Sequence, residues 1–295
     1  MTDARPDGGE AATETDRRSV TARIESLPDP DQLFAVVGRE LRTVVRTRAY
    51  AALAVGYAAL VVALAGAGGA SGFLPLTLDL LTYVELLVPA LAIAFGYRAV
   101  LGDARRGELD VLQTYPLSKP TFVLGVYLGR VTALLVVVLV PLLLVGAVVP
   151  FVGGTQSSVL ATHAGADSAF LYLRFLTLTA LFSMVGLGVA LAVSATADSV
   201  RAAIALGLGF LVVLVVGLDV GIVAALGAGV VGEGSLQWVL ALSPNSAFRG
   251  LVLRTVVGAV STSSVRAAVP AANLAGLAIW LVGSLALSIW AAWDD

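Results

Sequence analysis

Six apolar runs, each close to 20 residues long, punctuate this chain: 49–66, 77–101, 131–151, 170–193, 202–226 and 271–293. A helix needs about 20 apolar residues to cross the roughly 30 Å of hydrocarbon in a bilayer. The runs are unbroken instead of alternating apolar with polar, which predicts a bundle of spanning helices and not a barrel. The expected fold class is all-α: a polytopic membrane protein with six transmembrane helices. Ahead of the first run, Asp29-Pro30-Asp31 has the character of a helix start. Phe34, Val37, Leu41 and Val44 then recur at helical spacing, with Arg39, Arg42 and Arg46 elsewhere on the wheel. That pattern predicts an N-terminal interfacial helix lying apolar face down in the inner membrane surface, or else the positively charged flank of a first span. Residues 1–30 are polar, rich in Asp, Glu, Thr and Gly, and are expected to be a disordered cytoplasmic tail, with the membrane domain over 31–295. They lack the apolar stretch of a cleavable signal peptide.

Between the second and third runs lies a polar, proline-terminated island running from Arg105 to Lys119. It is too polar to sit in lipid and too short to be a domain. Glu108 to Thr114 can form two helical turns with Leu109 and Leu112 on one side, ended by Tyr115-Pro116. Ser118-Lys119-Pro120 starts the next helix. A short exposed helix with two leucines and an aromatic suits a groove on a soluble partner. An ordinary loop bearing positive charge has the same composition, so the residues alone leave both readings open.

Composition agrees with the pattern: 58% of residues are hydrophobic and 13% charged, far from a soluble domain. Cationic residues orient the bundle. Arg39, Arg42, Arg46, Arg48, Arg98, Arg105, Arg106, Lys119, Arg130 and Arg201 flank the spans on one side, against Arg174, Arg249, Arg254 and Arg266 on the other. A multi-pass protein of the cell membrane is expected, with both termini cytoplasmic and the lipid bilayer as its surroundings. No G-x-x-x-x-G-K-[ST] motif is present, so ATP cannot be held in the P-loop manner. Cysteine is absent, and His163, Met1 and Met184 are too scattered for a metal site. No serine has an evident base partner. An enzyme is not expected, nor a cofactor in this chain, nor a nucleic-acid partner.

Three charges fall inside apolar runs at least four residues from either end, where a central charge costs at least ~2.5–3.5 kcal/mol. Glu85 lies roughly 10 Å below the outer surface, Arg174 about 6 Å, and Asp219 roughly 25 Å up from the inner one, at 1.5 Å per residue. All three share one shelf in the outer leaflet. Arg174 is expected to pair with Glu85 or Asp219, within or between subunits; the alternative is that each snorkels separately to the headgroups. Pro89 and Pro141 lie within spans and are expected to kink them.

The stretch from Pro89 through Gly129 resembles the coupling region of type-2 ABC exporter (ABC-2 type) permeases. The resemblance rests on Ala99-Val100-Leu101-Gly102-Asp103, Gly107-Glu108-Leu109, Thr114-Tyr115-Pro116-Leu117-Ser118 and Leu124-Gly125. Arg39-Glu40-Leu41 with Arg46-Thr47-Arg48 is similar to the family's entry helix. Leu173-Arg174-Phe175, Asp219, and Leu242-Ser243-Pro244-Asn245 with Phe248-Arg249 extend the likeness over most of residues 33–293. Val126 departs from it, standing where a lysine is expected, and so does Glu85. The resemblance implies a homodimer of this chain joined to a cytoplasmic ABC ATPase, which binds the ATP and Mg. It also implies ATPase coupling through residues 103–119, with Arg105, Arg106, Glu108, Leu109, Asp110, Leu112, Tyr115, Pro116, Leu117 and Ser118 as contacts. Within the family the likeness is strongest to the branch supporting copper-site maturation of nitrous oxide reductase. There the implied cargo is a sulfur species, or a push on a periplasmic or extracellular accessory protein. The same architecture serves exporters of drugs, lipids or peptides, and a non-transporting membrane scaffold is a third reading.

Overall fold

The computed structural model describes residues 30–68, 72–105, 118–152, 167–230, 235–258 and 269–292, and among them the chain is helical, with no strand. Among the described residues, six helices are long and apolar enough to cross a membrane. A first helix, α1 (Pro30–Arg46), precedes α2 (Arg48–Ala67), the first span, and α3 (Phe73–Gly96), the second. The short α4 (Leu101–Arg105) follows. The third and fourth spans are α5 (Lys119–Val152) and α6 (Ala169–Thr196). The fifth consists of α7 (Val200–Val212), a π-helical turn over Val213–Gly217, and α8 (Leu218–Gly227). Two short helices, α9 (Leu236–Leu240) and α10 (Pro244–Val252), lead through a second π-helical turn, Leu253–Val257, toward the sixth span, α11 (Pro270–Trp290). Pro30 already belongs to α1; the rest of the expected tail lies outside the described residues.

Lipid tails are as apolar as leucine, so helices in a bilayer associate through close packing and not through the hydrophobic effect. Small residues mark where that happens. A Cβ on Gly96 of α3 would lie 2.4 Å from the Cβ of Ala190 on α6, and one on Gly186 would lie 3.1 Å from that of Ala92. Two residues on, Gly188 sits against Ser284 of α11, where a Cβ would come within 2.6 Å of the hydroxyl. Fourth span α6 therefore serves as the hub, with α3 on one side and α11 on another. Phe248 of α10 stacks on Phe182 of α6 at 4.6 Å between centroids, which folds the segment after the fifth span back into the bundle. Trp280 Nε1 of α11 donates to the Leu242 carbonyl at 2.8 Å, fastening the same segment from the other side.

The third span is longer than the run 131–151 suggested. Its 34 residues rise about 51 Å at 1.5 Å each, well beyond the hydrocarbon. The lower turns pack under α1: a Cβ on Gly125 would meet Val36 Cβ at 2.7 Å, and one on Gly129 would meet Glu40 Cβ at 2.6 Å. This contact changes the expected lie of α1. Val44 and Glu40 face the bundle and are buried, while Phe34 is exposed. Part of the stripe expected to lie on lipid is covered by protein, because the first turns of α5 pack against it. Helices α3 and α5 run on through Pro89 and Pro141. At the far end, Asp167 caps the second span from a distance, accepting from the backbone N–H groups of Phe73 (2.9 Å) and Leu74 (2.8 Å). Those donors have no partner inside their own helix.

Candidate functional site

The island splits at the edge of what the structure describes. Arg105 closes α4 and Ser118 opens α5. Arg106, Glu108, Leu109, Asp110, Leu112, Tyr115, Pro116 and Leu117 lie outside the described residues. The two attachment points are well defined. On one side, the backbone N–H groups of Val100 and Leu101 both donate to Ser194 Oγ, near the end of α6, at 3.1 and 3.2 Å. On the other, Ser118 Oγ accepts from the Thr121 N–H at 3.3 Å and lies 2.7 Å from the Thr121 hydroxyl. This is an N-cap, as the Ser-Lys-Pro sequence predicted.

Beside these attachments sits a chain of charges that sequence reasoning missed. Arg39 Nη2 of α1 bridges Asp103 Oδ2 at 2.6 Å and Glu40 Oε1 at 3.0 Å. Glu40 Oε2 in turn accepts from Arg130 Nε of α5 at 2.8 Å. Arg130 also donates to the Phe95 carbonyl at the end of α3 and to the Tyr50 hydroxyl of α2 at 3.4 Å. The Glu40 and Arg130 side chains are only 4% and 7% exposed, so each depends on the other for its charge. Burial by itself would depress the Arg39 guanidinium. The adjacent Asp103 and Glu40 carboxylates outweigh that, and it is held above its ordinary value. A buried pair of this kind is weak evidence of net stability, but removing one partner is costly. Its structural effect is to tie α1, α2, α3, α4 and α5 together at the base of the island. From sequence alone, Arg130 and Arg39 count among the cationic residues that orient the bundle. One signal could have set Arg130 apart: it interrupts an apolar stretch running from Phe122 to Phe151.

At the far face the three intramembrane charges do not behave as expected. Glu85, buried in α3, is gripped by Arg249 of α10 in a two-pronged contact: Nε to Oε1 at 2.7 Å, and Nη2 to Oε2. Asp219 accepts two hydroxyls, from Ser243 and Ser246, both at 2.7 Å, and Ser243 also caps α10 by accepting from the Ser246 N–H. Arg174 pairs with neither carboxylate. It donates to the Thr255 carbonyl at 3.0 Å and lies 4.7 Å over the Phe170 ring. The expected Arg174 pairing therefore does not form within the chain. Arg249 takes its place because Phe248, Leu251 and Val252 bury one face of α10 against the bundle, which brings the half-exposed Arg249 side chain onto Glu85. An acid as deeply buried as Glu85 needs a base, and α10 supplies one from what read as an outer loop. Among the described residues, no three His, Cys, Asp or Glu side chains converge as a metal site.

Both polar centres meet on α3. Its lower end adjoins α4 and the Asp103–Arg39 bridge, and Glu85 on its other half holds α10. One helix thus joins the base of the island to the far face.

Comparison with known proteins places this architecture. A family model described as "ABC-2 family transporter protein" matches residues 34–291. The "Probable ABC transporter permease protein NosY" of Pseudomonas aeruginosa is 29% identical over 273 residues, spanning 87% of this chain and 96% of that protein. The protein of the same name from Stutzerimonas stutzeri is 30% identical over 245 residues, spanning 80% and 86% respectively. The chain belongs to the ABC-2 family of transporter proteins, as a multi-pass membrane permease of an ABC transporter similar to NosY.

Proposed function

We propose that this permease is the membrane half of a Nos-type transporter, driven by a separate ATPase that docks on residues 103–119 from the cytoplasm. The carrying observation is mechanical. Residues 106–117 are joined at one end to α4, which Asp103 and Ser194 pin to α1 and α6, and at the other to α5, which Ser118 caps. In this reading a displacement of the segment is felt first at α4 and α5, the two helices it joins. It passes to α3 and, through Glu85 and Arg249, to α10 on the far side. Ligand-driven changes reach distant sites in this way when packed elements move as rigid pieces.

Because the chain carries no P-loop, ATP and Mg belong to the partner. In this reading both termini are cytoplasmic and the working unit is a homodimer. The fifth span supports the latter: only 6% of its most apolar window is buried within one chain, leaving most of its surface to lipid or a second copy. The likeness to NosY supports service to nitrous oxide reductase, with the far-face helices α9 and α10 turned toward an accessory protein outside the membrane.

Co-purification is the test. A tagged full-length chain is co-expressed with a candidate cytoplasmic ABC ATPase from the same genome and solubilised in mild detergent. A stable complex is expected, and Leu109→Asp with Leu112→Asp should disperse it while the permease stays folded. An intact complex in the double variant would refute docking at the island. Copper content of nitrous oxide reductase in a host lacking this chain tests the pathway separately: a fully loaded reductase would refute the Nos assignment alone.

A further inference from the structure

We propose that this protein binds an anionic phospholipid on its α1 side, with the phosphate in a polar pocket beside α1 and an acyl chain in the groove between α2 and α3. The pocket, about 750 Å³, is bounded by α1, the start of α2, the end of α3 and Arg130. Its charged lining comprises three guanidinium groups, Arg39, Arg98 and Arg130, against two carboxylates, Glu40 and Asp103. Both carboxylates are already engaged by Arg39 and Arg130. Arg98 is exposed at the rim and makes no ion pair among the described residues, so the described lining carries one positive charge in surplus. Arg46 and Arg48, both exposed, flank the lining residue Thr47 and add to the positive rim. Basic pockets between transmembrane helices at the membrane surface are suited to anionic headgroups.

The groove supplies the other half of the ligand. It holds about 690 Å³ and is almost wholly apolar, with Ala52, Gly56 and Ala90 forming a low floor between Leu60 and Leu87. A Cβ on Gly56 would meet no atom within 4 Å, so the channel is open there. Pocket and groove share Ala49, Leu53 and Ala94, which makes them continuous. From Ala49 to Leu60 the axial rise is about 16 Å at 1.5 Å per residue. That is close to half of the roughly 30 Å hydrocarbon core, the depth of one leaflet. A soluble anion would use the pocket and not the groove; a neutral apolar occupant would use the groove and not the surplus charge. A lipid with a net negative headgroup uses both.

The experiment titrates the purified full-length chain in detergent with phosphatidylglycerol or phosphatidylcholine and counts retained lipid by native mass spectrometry. Phosphatidylglycerol is expected to bind about tenfold more tightly or better. Arg98→Gln should weaken it about fivefold, the worth of one interfacial cation. Gly56→Phe should abolish retention by filling the open channel, with helical circular dichroism unchanged. If that variant does not fold, Gly56→Leu is the smaller plug and should cost at least fivefold. Equal retention of the two lipids overturns the proposal, and so does undiminished phosphatidylglycerol binding with the channel plugged. Binding of soluble glycerol 3-phosphate as tight as that of the lipid would also overturn it, because the site would then read the anion alone.

Discussion

Replacing Glu40 with glutamine should destabilise this protein more than any other single loss of charge on the α1 side. Among the described residues Glu40 is the only carboxylate touching Arg130, through the 2.8 Å Nε contact, and it also shares Arg39 with Asp103. Glutamine keeps the shape and removes the charge, leaving Arg130 buried with a carbonyl and a distant hydroxyl as its remaining partners. Breaking a buried pair from one side costs about 3–5 kcal/mol. The lower end applies here, since Arg39 keeps Asp103 and Arg130 keeps the Phe95 carbonyl. At about 2–4 °C per kcal/mol for a large domain, the unfolding midpoint should fall by roughly 6–12 °C. Thermal unfolding of the full-length chain in detergent, followed by tryptophan fluorescence, reads this directly. The paired control is Glu40→Leu with Arg130→Met. Replacing both members of a buried ion pair by apolar groups is often neutral or stabilising, so the double variant should recover most of the loss. A midpoint drop below about 2 °C in Glu40→Gln, or a double variant no better than the single one, would refute the claim that these charges depend on each other.

Gly129→Ala should cost about 1–3 kcal/mol through overpacking against Glu40 and Val37, whereas Gly221→Ala, whose Cβ meets nothing within 4 Å, should be neutral or gain up to about 1 kcal/mol in helix propensity; paired thermal scans in detergent compare the two. Arg174→Gln should shift the midpoint by no more than the equivalent of about 0.5 kcal/mol. Glu85→Gln should lower it clearly, and a large effect at Arg174 with none at Glu85 would refute the Glu85–Arg249 pair and favour an Arg174–Asp219 one. Ser243→Ala removes both the cap of α10 and one hydroxyl on Asp219. A loss of about 1–2 kcal/mol is expected, together with faster proteolysis of the α9–α10 segment.

The six spans were legible because their signal is length alone, and length survives whatever the helices later touch. Which face of each span meets protein was not. The fourth and fifth spans have mean hydropathies of 2.2 and 2.6, yet 67% of one window and 6% of the other are buried. With lipid as the solvent, apolar side chains go to both places, so periodicity carries little information. Caps followed simple rules: Ser118 stands where its sequence put it. Ion pairs did not. Arg249 reaches Glu85 only because α10 folds inward on Phe248, a tertiary event between residues 164 positions apart. Arg130 was passed over for a related reason: a span boundary drawn at residue 131 turned a buried, interior charge into a flanking one.

The π-helical turn at Val213–Gly217 sets the register of everything beyond it in the fifth span. Leu218 donates to the Val213 carbonyl five residues back, so the turn holds one residue more than an α-helix would. Deleting that residue would rotate the α8 half of the span by about 100° and swing Asp219 away from Ser243 and Ser246. The two halves of the span are thus phased independently, the lower by its own continuity with the membrane and the upper by what α10 needs. A single-codon insertion or deletion in this turn could re-aim the far face of the protein while leaving the helices around the island undisturbed.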